Sequence, residues 1–162
     1  MTIEIEIAVE APAWINLPDA KVTLRRAIEE AIADAGLAET ELGVVLTDDA
    51  HIRALNRAWR GADEATNVLS FPVPAGPATG PRLLGDLVLA FETVMREAAA
   101  MGKSANHHLS HLAVHGVLHL LGFDHERDEE TEAMEERERA ILARLGVPDP
   151  YALGNRRRKQ PA

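Results

Sequence analysis

Cysteine is absent from the chain, which excludes a disulfide framework and requires any bound transition metal to be held by nitrogen and oxygen rather than thiolate. Histidine, present seven times, is therefore the residue to follow. Equally absent is any run approaching the ~18 apolar residues needed to span a bilayer, so a soluble protein with no membrane partner is expected. The opening residues, MTIEIEIAVE, lack the basic start and continuous apolar stretch of a signal peptide, and a cytoplasmic location is expected on that ground. No repeat is visible, and no internal linker is long enough to divide the chain.

What is present suffices for one core. The 162 residues, 46% of them hydrophobic, predict a single domain. A formal net charge of −9 would ordinarily argue against a nucleic-acid partner, because phosphate binding needs clustered Lys and Arg. The distribution of charge qualifies that sum. Residues 126–139 hold eight acidic and three basic side chains, whereas Arg156, Arg157, Arg158 and Lys159 form a basic end. Net charge therefore does not decide the partner, and residues 151–162 are read as a solvated, disordered tail.

Ile3, Ile5, Ile7 and Val9 alternate with polar or small neighbours, the period of a half-buried strand. From Leu24, the apolar positions Ala27, Ile28, Ala31, Ile32 and Ala35 follow helical spacing, with Thr23 as N-cap and Gly36 as stop. LGVVLT at 42–47 predicts a second strand, after which Asp48 caps a helix carrying Ile52, Leu55 and Trp59. VLSF at 68–71 predicts a third strand, ended by Pro72 and a loop rich in Pro and Gly. LLGDLVLA at 83–90 predicts a fourth, with a helix over 92–101 broken at Gly102. A largely apolar helix over 107–121 and a strongly charged one over about 129–145 complete the chain. The expected architecture is an α/β (α+β) metallohydrolase domain over residues 1–150, with one mixed sheet of about four strands and helices packed on it. A helix with as little polar surface as 107–121 belongs at the centre, and histidines there are costly unless something uses them.

Residues 115–125 read HGVLHLLGFDH. His115 and His119 are one helical turn apart, so their rings project from one face and can reach one ion at Zn–N distances of ~2.0–2.1 Å. Gly122 can adopt the positive φ that ends a helix, turning the chain so that His125 supplies a third nitrogen. Three ligands leave one tetrahedral position for water, whose pKa falls to ~7 on zinc. One zinc per chain is the expected cofactor, although three imidazoles also suit nickel, copper or iron. An alternative pair, His111 and His115, needs a third ligand from elsewhere, because the helix drifts by about 40° over each four-residue step. His111 is read instead as packed or as the support of a ligand, and His51, His107 and His108 as ordinary polar histidines. The spacing equals that of the metzincin peptidases, HExxHxxGxxH, except that Gly116 stands where they place the catalytic glutamate. The simplest inference is a different substrate.

The same segment resembles the HGxLHLxGyDH signature of the YbeY family, bacterial metal-dependent endoribonucleases. LNRAWRGADEATNVLSFP, from Leu55 to Pro72, is similar to that family's LN, then R, then TDVLSFP pattern, and LLGDLVLA to its LGDI strand. Departures are Asn67, where the family often has Asp, and Ala65, where Pro is common. The resemblance covers residues 44–126 and implies a three-histidine zinc site on a sheet-and-helix α/β fold. It also implies a single-strand-specific endoribonuclease of ribosomal RNA maturation, acting in 16S 3′-end processing and ribosome quality control. Ribosomal RNA is the implied substrate, with ribosomal proteins or assembly factors as partners. Residue by residue, it marks His115, His119 and His125 as metal ligands and Arg60 as the functional arginine. The guanidinium of Arg60 is always charged and forked, suited to phosphate oxygens and to the charge of a phosphoryl-transfer transition state. Asp124 either accepts a hydrogen bond from a ligand imidazole or caps the turn, and Asp86 is another candidate acceptor. Two other functions fit the same residues: a non-catalytic, metal-containing ribosome assembly factor, and a zinc hydrolase of another substrate class.

Overall fold

Four strands form one mixed sheet in this computed structural model, which describes residues 2–74, 76, 79–124 and 126–152. β1 (Ile3–Val9) runs parallel to β2 (Thr40–Thr47), and β2 parallel to β4 (Arg82–Ala90). β3 (Val68–Pro72) lies antiparallel on the outer side of β4, so the order is β1-β2-β4-β3. The helices are α1 (Ala20–Asp34), α2 (Asp49–Arg60), α3 (Phe91–Ala100), α4 (Ala105–Leu120) and α5 (Asp128–Arg144).

The period of two along each strand sorts the side chains onto two faces. Ile5, Leu42, Val44, Leu46, Val68, Leu87 and Leu89 point into the main core, shared with α1 and α4. Leu69, Val88 and Ala90 point the other way and meet Ile52 of α2 in a smaller cluster. α4 and α2 therefore cover opposite faces of the sheet. Gly85 allows β3 and β4 to close up: its φ is +133°, and a Cβ there would strike the carbonyl oxygen of Phe71.

Two expectations are corrected. α1 begins at Ala20, one turn before Thr23, because buried Ala20 extends the stripe of Leu24, Ala27 and Ile28 backwards by one turn. Asp19 takes the N-cap position without a side-chain cap, and the Thr23 hydroxyl bonds instead to Asn106 Oδ1 of α4 at 3.1 Å. In α2 the Asp48 cap is as expected, accepting from the His51 N–H at 2.9 Å, but Trp59 at the other end is exposed.

Candidate metal centre

α4 is buried on nearly every side, and at Gly116 it lies directly on the sheet. A Cβ on Gly116 would come within 2.7 Å of Leu87 Cδ2. Beside that contact, Ser70 of β3 donates its hydroxyl hydrogen to the Gly116 carbonyl at 3.2 Å. The residue standing where peptidases carry a glutamate therefore has no room for a side chain. It belongs to the packing of α4 and not to a reaction centre.

The helix stops as its glycine predicts. Gly122 has φ +101°, its N–H reaches the His119 carbonyl at 3.0 Å, and the Phe123 N–H reaches Leu118 O at 3.0 Å. This turn carries the Phe123 carbonyl back over the helix end, where it accepts a hydrogen bond from His119 Nδ1 at 3.0 Å. One glycine thus ends α4 and supplies the group that orients a histidine.

One turn earlier, His115 is 1% exposed, and its Nδ1 lies 2.7 Å from Oε1 of Glu138, a residue of α5 with no exposed surface. The other carboxylate oxygen, Oε2, lies 2.8 Å from His111 Nε2 and accepts from the Tyr151 hydroxyl. Burial alone would push the Glu138 carboxyl up, but the hydrogen bonds from His111 and His115 outweigh it and hold the group below the usual carboxylate range. For His111 burial prevails over the attraction of Glu138, and its pKa is lowered. Burial first, then the charge of Glu138, pushes the Tyr151 phenol up. At neutral pH the cluster is one carboxylate accepting from a neutral imidazole, a phenol and the His115 ring.

These partners decide where the ring protons of the pair sit. Acceptors at Nδ1, a carboxylate for His115 and a carbonyl for His119, place the proton there and leave Nε2 as the acceptor nitrogen of each ring. The two Nε2 atoms face each other at 3.0 Å. Facing lone pairs repel unless a cation or a shared proton lies between them, so the donor set fits a divalent metal. His119 is half-buried and His115 buried, so the pair opens to solvent from the His119 side. A second grouping fits a cation as well: His111, His115 and Glu138 are all buried, with ligand atoms within 4.8 Å of one another. It supplies, through Glu138, the third group that a His111–His115 pair lacks on α4 alone. The two groupings share His115.

Other site residues fall out as follows. His125 lies outside the described residues, as does the basic end from Arg156 to Lys159. Arg60 is exposed in the last turn of α2, on the helix that covers the other face of the sheet, with no hydrogen bond or ion pair to the histidines among the described residues. Asp86 is corrected as a candidate support of a ligand. It projects from β4 onto the face opposite α4 and lies over Gly43. Asp124 is exposed just past the Gly122 turn. His108 is also corrected. It is buried, and its Nε2 lies 2.9 Å from Glu97 of α3. Glu138 was missed by the sequence reading, although a signal existed: Met134, Glu138, Ile141 and Leu142 share one helical stripe, placing a carboxylate among apolar partners. Tyr151 sits in the segment read as tail, yet it is buried against that carboxylate.

The fold and site define a mixed α/β domain with a buried histidine and carboxylate centre suited to a divalent cation. The model of the family described as endoribonuclease YbeY matches residues 7–146. An endoribonuclease YbeY from Rhodopseudomonas palustris strain CGA009 is 58% identical over 91% of this chain and 80% of its own length. Another from Bradyrhizobium strain BTAi1 is 53% identical, covering 91% of each chain. The chain belongs to the YbeY family. Its fold is also that of TM1509 from Thermotoga maritima, whose solution structure matches with a TM-score of 0.56 at 24% identity over 94% of this chain and 99% of that one.

Proposed function

We propose that this chain is a zinc-dependent endoribonuclease, with His115, His119 and His125 as the metal ligands and Arg60 as the catalytic residue. The observation that carries the ligand assignment is the facing of the His115 and His119 Nε2 atoms at 3.0 Å while both Nδ1 atoms are engaged. Zinc bound there would act as a Lewis acid and lower the pKa of a water at its open position. The chain's own residues do the rest. Glu138 holds the His115 ring by its Nδ1 proton, and the Phe123 carbonyl holds the His119 ring in the same way. Arg60 offers its forked guanidinium to non-bridging phosphate oxygens, where charge grows in the transition state.

The family resemblance supports the finer reading: single-stranded ribosomal RNA as substrate, with 16S 3′-end processing and ribosome quality control as the role. Ribosomal proteins or assembly factors are the partners, in the cytoplasm. No helix among the described residues is long and apolar enough to cross a membrane. Residues 1–150 form the single catalytic domain of this reading.

The test is metal content by elemental mass spectrometry, together with cleavage of structured ribosomal RNA fragments before and after chelation. Near-stoichiometric zinc and chelator-sensitive cutting are expected. Zinc without cutting would move the protein to the assembly-factor reading. His115→Ala should lose both metal and cutting. A metallated and fully active His115→Ala enzyme would overturn the assignment. His111→Gln distinguishes the two groupings, because it should retain zinc under this reading and lose it if the metal sits among His111, His115 and Glu138.

A further inference from the structure

Trp59 is 72% exposed, an expensive position for a side chain whose burial is worth several times that of a small apolar group. Its place follows from where the sheet ends. Ile52, Asn56 and Trp59 lie along one stripe of α2. Ile52 packs on Leu69, Val88 and Ala90, while the Asn56 side chain donates to the Glu64 carbonyl at 3.0 Å. At Trp59 the stripe has reached β3, the outermost strand, and the indole meets Phe71 of that strand edge to face, with centroids 6.1 Å apart at an interplanar angle of 73°. One aromatic ring thus braces another that stands in solvent. Arg60, the next residue, and Arg57 are both exposed in the last turn of α2, and Arg60 makes no hydrogen bond or ion pair among the described residues. The strand beneath connects this corner to the metal centre. Ser70, the neighbour of Phe71, bonds the carbonyl of Gly116, which adjoins His115.

We propose that Trp59 is a stacking platform for an unpaired base of single-stranded RNA, with the adjacent Arg60 taking a phosphate of the same strand. An open aromatic face with cationic side chains in the same helical turn suits single-strand binding, because every base has a π-face and every linkage a charge. The cations are conspicuous in a chain of net charge −9. A duplex, whose bases already stack on one another, does not fit such a platform. This inference rests on the endoribonuclease reading and adds to it the residue that selects unpaired strands.

The test is binding, not turnover. The chain has two tryptophans, and Trp14 is buried with its indole N–H donated to the Thr47 carbonyl at 2.9 Å, so quenching by a stacked base reports on Trp59. A short single-stranded RNA, titrated into zinc-loaded wild-type protein, should quench the fluorescence, and Trp59→Phe should lose that quench while keeping most of the affinity. Trp59→Ala should bind on the order of ten-fold more weakly. An abasic strand of the same length should bind wild type and Trp59→Ala alike, and the duplex should leave the emission unchanged. RNA bound without quenching, and as tightly by Trp59→Ala as by wild type, overturns the platform and leaves the endoribonuclease reading standing. Failure of the wild type to bind any RNA overturns both.

Discussion

α4 and α2 each carry residues assigned to the site, and they could hardly be held more differently. His115 and His119 sit in a helix buried on nearly all sides, each ring fixed by an acceptor at Nδ1. The α2 residues Arg57, Trp59 and Arg60 stand in solvent on the last turn of an amphipathic helix, with Trp59 over the outermost strand. A metal needs ligands placed to within a few tenths of an ångström, which only packing supplies. A substrate that is a flexible, charged strand needs reach and exposure. The buried helix should therefore fail through stability and metal together, and the exposed one through substrate handling alone.

The largest effect is expected at Gly116→Glu, which would restore the peptidase spelling HExxH. Its Cβ would meet Leu87 at 2.7 Å, and its carboxylate would face the core between α4 and β4. Overpacking and an unpaired buried charge together cost several kcal/mol, enough to unfold most domains. Soluble yield and thermal melting would show this. A variant melting near the wild type would mean that α4 does not rest on the sheet at this residue, and the contrast between the helices would lose its basis.

Next in size is Glu138→Gln. The amide keeps the shape but retains one acceptor oxygen where two served three donors, leaving a buried donor unpaired at about 1–3 kcal/mol. Releasing the His115 ring should also weaken metal binding by about 10–100-fold. Competition with a chromogenic chelator measures the affinity, and NMR of the imidazole nitrogens reads the tautomer of His115. Unchanged affinity with an unchanged tautomer would remove Glu138 from the metal centre and leave it as packing.

Arg60→Ala belongs to the other half of the comparison. Metal content and melting temperature should match the wild type, because the side chain is exposed and makes no hydrogen bond or ion pair among the described residues, while RNA cleavage should fall by two orders of magnitude or more, roughly the worth of a transition-state charge partner. Retained cleavage would take Arg60 out of the reaction.

The same contrast explains what could be read from the chain alone. Strand periods, the Asp48 cap and the Gly122 stop are local signals, and each lies where the spacing put it. The His115–His119 geometry is equally local, one turn of helix. Glu138 is 23 residues from His115, and what joins them is the packing of α5 on α4, which no local period encodes. Tyr151 escaped for the same reason, arriving from a segment read as tail. For Trp59, helical spacing tells which stripe of α2 it shares but not that it stands exposed over the outermost strand. The role of Arg60 came from the family resemblance, since an exposed arginine carries no structural signal of its own.

The smallest effect lies on the solvent side of the buried half, where α5 is fastened to α1. Asp34 accepts from Arg137 at 2.6 Å and from Arg144 at 2.8 Å, and Arg144 also reaches Glu30 at 2.6 Å. Burial would push the Asp34 carboxyl up, but the hydrogen bonds from Arg137 and Arg144 prevail and lower it below its ordinary value of 3.8. A depressed carboxylate pKa contributes stability that is fully present above the ordinary value and is lost as pH falls through the folded one. Asp34→Asn should therefore melt about 2–4 °C lower at pH 7, in line with about 1 kcal/mol for a partly exposed ion pair. The gap should close as the solution is acidified below the ordinary carboxylate range, because the wild type then loses the same charge. Zinc affinity should stay with the wild type, since Glu138 is held from the other side of α5. A variant whose zinc affinity falls along with its melting temperature would show that the fastening of α5 positions His115, and the metal centre would then extend to the surface it now excludes.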